Sequence, residues 1–266
     1  MIEVENISVS LSSGRKILDE VSFNLKLGKL TAIIGKNGAG KSSILKCICG
    51  DVAYQKGMVR FEGEEINEID LKHLATKRAV VSQKSSLEFS FTAREVVNLG
   101  RSLSSSFITS AKDEAIILKC LEMVDGLSLI DQSYTTLSGG EKQRVHFARA
   151  LAQIWDRIEN DKPAYLLLDE PLASLDVAHQ HEMMHILQQL CKKNIAVMIV
   201  IHDLNLAAQY ADYVHILKEG KTVIHGTPLE VFKEDIITHA FDYPVSVIPH
   251  PKIQCPLIIS TSYMRA

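Results

Sequence analysis

The run Leu30-Thr31-Ala32-Ile33-Ile34-Gly35-Lys36-Asn37-Gly38-Ala39-Gly40-Lys41-Ser42 decides the fold. Its first five residues are mostly apolar and of strand length, and residues 35–42 match GxxxxGK[ST]. The residues that follow place Ile44, Leu45 and Ile48 on one side, as a helix does. Phosphate chemistry needs a strand leading into such a loop and a helix leading out. Glycines let the loop wrap so that backbone N–H groups turn inward, and the helix start adds partial positive charge. Lys41 then supplies a full charge to β and γ phosphates, and the Ser42 hydroxyl is placed to ligate Mg²⁺. The candidate nucleotide-binding residues are Gly35, Lys36, Asn37, Gly38, Ala39, Gly40, Lys41, Ser42 and Ser43.

Upstream, Ile2, Val4, Ile7 and Val9 make one candidate strand whose spacing slips once after Val4, while Val21, Phe23, Leu25 and Leu27 alternate cleanly. Val59 and Phe61 suggest a further short strand. From about Glu88 to Trp155 the pattern is mostly helical, with Thr92 and Glu95 at capping-box distance and helical spacing over 115–124 and 141–155. Beyond Pro163 strand and helix alternate over 165–168, 177–192, 196–201 and 204–210, which argues a parallel sheet wrapped by helices. The expected organisation is one α/β domain over 1–226, its core about 1–83 and 163–226, interrupted by a helical subdomain over about 84–160. Residues 227–266, with five prolines, read as a C-terminal tail.

The two later strands end in acids and a histidine where ligands gather on such a sheet. Tyr165 to Leu168 runs into Asp169-Glu170, and Ala196 to Ile201 into His202-Asp203. Asp169 can orient Mg²⁺ through water, and Glu170 can accept a proton from an attacking water.

Composition bounds the rest. A 266-residue chain that is 46% hydrophobic and 23% charged builds a core, and a net charge of −3 gives no basic field for nucleic acid. Five cysteines without a CxxC pair fit a reducing compartment. Met1-Ile2-Glu3-Val4-Glu5 lacks a signal-peptide start, and no apolar run approaches bilayer length.

Leu137-Ser138-Gly139-Gly140-Glu141, continued by Lys142-Gln143-Arg144, resembles the ABC signature sequence. With the phosphate loop before it and Leu167-Leu168-Asp169-Glu170-Pro171 after it, the chain resembles the nucleotide-binding subunits of ABC transporters over residues 2 to 230. The resemblance implies an α/β P-loop ATPase core with a parallel sheet, an N-terminal antiparallel β subdomain and a helical insert. It implies ATP and Mg²⁺ as ligands, with Asp169, Ser42 and Gln83 at the metal, Glu170 as general base and His202 at the γ-phosphate. The resemblance also implies that Gln83 senses the membrane partner. Ser138, Gly139, Gly140 and Glu141 meet the nucleotide of an opposite subunit, and Ser174, Leu175 and Asp176 cross between subunits of a head-to-tail homodimer.

Relatives stack an aromatic ring on adenine shortly before the loop strand. Here no Phe, Tyr or Trp occurs between Met1 and Glu20, and Leu11 or Arg15 serves instead. The absence of membrane helices favours import, with the ATPase at the cytoplasmic face of a bacterial inner membrane, bound to integral-membrane permease subunits and, through them, to an extracytoplasmic substrate-binding protein. Residues 201–212 are similar to the subgroup importing iron chelates, haem and cobalamin. The stretch 150–155, His179-Gln180-His181 and Val247-Ile248-Pro249-His250-Pro251 are most similar to haem-import ATPases. Siderophore or cobalamin import and a soluble non-transport ABC ATPase remain as alternatives. His181-Glu182-Met183-Met184-His185 is a literal HExxH, but Gln188 and Cys191 stand where a metzincin would need a glycine and then a histidine, and an ordinary helix face is expected.

Overall fold

The structure is a computed structural model that describes residues 1–11, 13–83, 90–102 and 110–260. The chain divides into two compact units, Met1–Glu68 with Met198–Ala266, and Ile69–Val197.

The first unit opens with β1 (Ile2–Ser10), β2 (Lys16–Leu25) and β3 (Leu30–Gly35), passes through α1 (Lys41–Ile48), and adds β4 (Lys56–Phe61) and the short β5 (Glu64–Glu65). Four of these strands form a sheet of order β2-β1-β4-β5, with antiparallel pairing throughout. Alternation explains β2: Val21, Phe23 and Leu25 are buried while Ser22 and Asn24 face water. The slip read after Val4 is a bulge, because the β1–β2 register shifts between Val4 and Ile7 and Asn6 takes φ 48°. Leu27 lies past the end of β2, just before Gly28.

The second unit contains α2 (Leu71–Lys77), β6 (Arg78–Val81), α3 (Ala93–Asn98), α4 (Ala111–Met123), α5 (Gly139–Glu159), β7 (Ala164–Asp169), α6 (Val177–Lys192) and the start of β8 (Ile195–Val200). Its strands run in the order β8-β7-β6, with β6 parallel to β7 and Val81 opposite Leu168. The capping box read at Thr92 and Glu95 opens α3. Of the expected helical stretch, residues 88–89 and 103–109 lie outside the described residues. Beyond Trp155, α5 continues to Glu159. A buried ion cluster pins α5 to α4. Arg101, 2% exposed, donates from Nε to Asp113 at 2.9 Å, from one terminal nitrogen to the Ala152 carbonyl at 2.8 Å, and from the other to Asp156 at 2.7 Å. Burial alone would raise the Asp113 pKa, but hydrogen bonds from Ser110 and Arg101 leave it below the usual carboxylate value.

The chain then returns to the first unit with the end of β8, α7 (Leu204–Tyr210), β9 (Tyr213–Lys218), β10 (Lys221–Gly226), α8 (Pro228–Val231), α9 (Glu234–Phe241) and the hairpin β11 (Val245–Pro249) to β12 (Pro256–Ser260). The strand order here is β10-β9-β3-β8, with β3 parallel to β9 and Gly35 opposite Leu217. The region expected as a tail therefore carries two helices and a hairpin. Asn205 on α7 holds that hairpin as a strand would: its amide nitrogen donates to the Ile258 carbonyl at 3.1 Å, and its oxygen accepts from the Ile258 N–H at 2.8 Å. His215 on β9 is fully buried against Phe23, and burial, helped by neighbouring His225, pushes its pKa down to about 3. Among the described residues, no helix is long and apolar enough to cross a membrane.

Candidate functional site

In the first unit, every residue of β3 is buried, so the strand is a fixed base from which Gly35 launches the loop. Lys36, Asn37 and Gly38 are exposed, and Ala39 closes the turn with its N–H donating to the Lys36 carbonyl at 3.1 Å. Gly40 begins α1 with φ 101°, a left-handed conformation, and a Cβ there would lie 2.7 Å from Leu18 Cδ2 and 3.0 Å from the Ile17 carbonyl oxygen. Lys41 is only 5% exposed, and its ammonium donates to the carbonyls of Gly35 at 2.8 Å and Lys36 at 3.1 Å. Those bonds fix a full positive charge at the centre of the loop. Ser42 and Ser43 follow in the first turn, both half-buried.

Among the described residues, α1 is the one α-helix with neither a side-chain cap nor an acid at its first turn. A helix start directs N–H groups and the positive end of its dipole outward, and a carboxylate there would answer that charge from within the protein. The first turn of α1 carries no such carboxylate. A cleft of about 670 Å³ opens beside the loop, bordered by Leu11, Arg15, Lys36, Gly38 and Asp242. Both residues read as substitutes for the adenine-stacking aromatic are therefore on this cleft. His202 follows directly on a contact with the loop strand, since the N–H of the preceding Ile201 donates to the Ile33 carbonyl at 3.2 Å.

In the second unit, β7 is buried along its whole length and ends in Asp169, a carboxylate only 6% exposed. Glu170 then takes φ 51°, an uncommon conformation for a side chain of its size, which turns the chain sharply out of the strand. The parallel β6–β7 pair sets Gln83 beside it, and the Gln83 amide donates to Glu170 Oε2 at 2.6 Å. Two of the expected catalytic residues thus meet directly.

The signature residues form the start of α5. Ser138 caps the helix by accepting from the Glu141 N–H at 3.3 Å, and the Glu141 carboxylate accepts from the Ser138 N–H at 2.7 Å. The Ser138 hydroxyl and N–H hold the Glu141 carboxyl below its ordinary pKa. Gly139 and Gly140 lie against the 174–176 segment, and a Cβ on Gly140 would stand 2.9 Å from the Ser174 carbonyl oxygen. Leu175 is buried and Asp176 caps α6, accepting from the His179 N–H at 3.0 Å.

Two side chains with no expected role, Arg144 and Asp125, brace this region. Arg144 donates to the Asp125 carbonyl at 2.7 Å, to Asp125 Oδ2 at 3.0 Å and to His179 Nε2 at 3.0 Å. His179 Nδ1 stands 2.9 Å from Asp176 Oδ2. A carboxylate only accepts and an arginine only donates, so in this arrangement His179 donates from Nδ1 and accepts at Nε2. Two residues after Arg144, His146 Nε2 stands 2.6 Å from Tyr134 Oη in the core. The helical spacing of α5 could have flagged Arg144 as one turn from the signature, but its partners are distant in sequence. The HExxH residues lie on α6, with His181 half-buried and His185 exposed, and no group of three or more His, Cys, Asp or Glu among the described residues is arranged to hold a metal.

The sequence profile of the ABC transporter family matches residues 18–173. Among curated proteins, the chain is 40% identical over 259 residues to a hemin import ATP-binding protein, HmuV, of Gloeobacter violaceus, covering 97% of this chain and 94% of that one. It is 41% identical over 261 residues to the protein of the same name from Deinococcus radiodurans, covering 98% and 97%. Among solved structures, a metal-chelate type ABC transporter in an inward-facing conformation superposes with a TM-score of 0.80 at 22% identity, covering 98% of this chain and 97% of that one, a likeness of fold. A dimeric bacterial ABC transporter cassette gives 0.76 at 27% identity, covering 85% and 98%. With a phosphate loop, a strand-end acid pair and a signature helix in the family's order, the chain belongs to the ABC transporter family and forms its ATP-binding, ATP-hydrolysing cassette.

Proposed function

We propose that this chain is the ATP-hydrolysing subunit of an importer that takes up haem through a separate membrane permease. The observation that carries the cargo is the likeness, over nearly the whole chain, to proteins named for hemin import. On this reading residues 1–226 are one ATPase domain, with a helical subdomain over about 84–160 and the extension 227–266 behind it. The chain acts as a peripheral subunit at the cytoplasmic face of a bacterial inner membrane, receiving haem's signal from a substrate-binding protein through the permease.

Two copies act head to tail. Ser138, Gly139, Gly140 and Glu141 of one face the nucleotide held by Gly35 to Ser43 of the other, and Ser174, Leu175 and Asp176 cross between them. Oxygen donors of a hydroxyl, an amide and a carboxylate suit a hard divalent cation, and a strand-end carboxylate as buried as Asp169 is one such a cation neutralises. Ser42, Gln83 and Asp169 would hold Mg²⁺, which when bound adds positive charge against the phosphates. Lys41 and His202 bind the γ-phosphate. Glu170, oriented by the Gln83 amide, takes a proton from the attacking water as its oxygen bonds to the γ-phosphorus; the bond to the bridging oxygen breaks, leaving ADP and phosphate.

The test is transport with the native permease in vesicles, offering haem, cobalamin and a ferric siderophore on binding protein. ATP-dependent haem uptake is expected, lost in Lys41→Ala. In Glu170→Gln, hydrolysis is expected to slow at least about a hundredfold, roughly 2.7 kcal/mol of barrier, with MgATP still bound. Cobalamin or siderophore uptake without haem uptake would refute the cargo.

A further inference from the structure

Asp242 follows the last residue of α9 and adopts a left-handed backbone, φ 52° and ψ 36°. That turn aims its carboxylate at the phosphate loop. Oδ2 accepts from the Lys36 ammonium at 3.1 Å, across 206 residues of sequence, and Oδ1 accepts from the Lys218 ammonium at 2.6 Å. Lys218 also donates to the His239 carbonyl in the last turn of α9 at 2.7 Å, so the helix end is tied to β9. Asp242 borders the same cleft as Lys36 and Gly38.

This placement runs against the rest of the loop. The start of α1 has no acid, yet the C-terminal extension delivers one to the loop's second residue. A carboxylate there neutralises one of the loop's two lysines and repels a polyphosphate. The Lys36 and Asp242 side chains are 49% and 54% exposed, so their ion pair is of the weak, exchangeable kind. A bound triphosphate can take Lys36 over at little cost.

We propose that Asp242 is a counter-ion latch on the nucleotide cleft: it competes with the phosphates of a bound nucleotide for Lys36, and so sets nucleotide affinity from the C-terminal extension. The inference rests on the reading of residues 35–43 as the nucleotide's phosphate site. The competition is between charges, so its strength follows the charge of the ligand. It is greatest for ATP, smaller for ADP and absent for adenosine.

The experiment is equilibrium binding of ATP, ADP and adenosine to the full-length protein and to Asp242→Asn and Asp242→Gly. Both replacements tolerate the left-handed backbone and remove the charge. ATP is expected to bind about fivefold tighter to both variants, ADP to gain less, and adenosine not at all, with the gain shrinking between about 50 mM and about 500 mM salt. Unchanged ATP affinity in variants that melt like wild type overturns the latch while leaving the nucleotide site standing. Weaker ATP binding also overturns it, by making the carboxylate a direct contact to sugar or base. A wild-type protein that binds none of the three overturns the latch together with the site.

Discussion

On the proposed function two helix starts in this chain serve nucleotide chemistry, and they are built in opposite ways. The start of α1 is shaped by glycine and backbone, with no cap side chain and no acid in its first turn. The start of α5 is shaped by side chains: Ser138 and Glu141 cap one another, and Arg144, Asp125, His179 and Asp176 brace the next turn. The first leaves its positive end for a ligand's charge. The second answers much of its own, so on the proposed function its contact with an anion would come from small residues such as Gly140 rather than from an open dipole. A helix start gains anion affinity by what it omits, and gains rigidity by what it adds.

The comparison extends behind each helix, and there its largest test lies. If α5 depends on side-chain charge for its placement, Arg101→Met should cost about 3–5 kcal/mol, because it strands the buried Asp113 carboxylate. Denaturant unfolding of the full chain measures this. A loss below about 1 kcal/mol would mean that apolar packing alone seats α5.

A smaller effect sharpens the contrast between the helix starts themselves. Ser43 occupies in α1 the third position that Glu141 occupies in α5. Ser43→Glu should weaken ATP binding at least about 30-fold, roughly 2 kcal/mol, while leaving the melting temperature level or slightly raised, since an acid at that position favours a helix. Unchanged ATP affinity in titration calorimetry would break the contrast.

The smallest expected effect separates the units by pH. His215 has its pKa lowered to about 3, so the folded chain keeps the ring neutral while the unfolded chain takes up a proton below about 6.5. Its share of stability is complete above pH 6.5 and is lost as pH falls toward 3, amounting to about 1.4 kcal/mol by pH 5.5. Asp113, with a lowered pKa, keeps its share until pH falls below its usual carboxylate range. Unfolding free energies at pH 7.5 and 5.5 should therefore differ less in His215→Leu than in wild type. Equal differences in the two proteins would remove the buried imidazole from the acid sensitivity.

What the sequence made legible was local. The phosphate loop, the Thr92–Glu95 box and the strand ending in Asp169-Glu170 are contiguous patterns, and each formed as its spacing required. Even the slip after Val4 was visible, because a bulge adds one residue to an alternating run. The braces around the site were not legible, since Lys36 and Asp242, or Arg144 and His179, meet only after the chain has folded. The elements of the C-terminal tail were not legible either, although two of its prolines sit where elements begin or end: Pro228 opens α8, and Pro249 pairs with Pro256 where the hairpin begins its loop.

The Asn205 clamp on the hairpin gives the molecule a chemical clock. It works because one amide both donates and accepts, reproducing a peptide group toward Ile258. Hydrolysis of that amide during storage would leave a carboxylate, which accepts but cannot donate, and would set an oxygen against the Ile258 carbonyl. Ageing at this single side chain would loosen the hairpin from α7 without cutting the chain, and a mass increase of about one dalton on the Asn205 peptide would report it before any loss of activity.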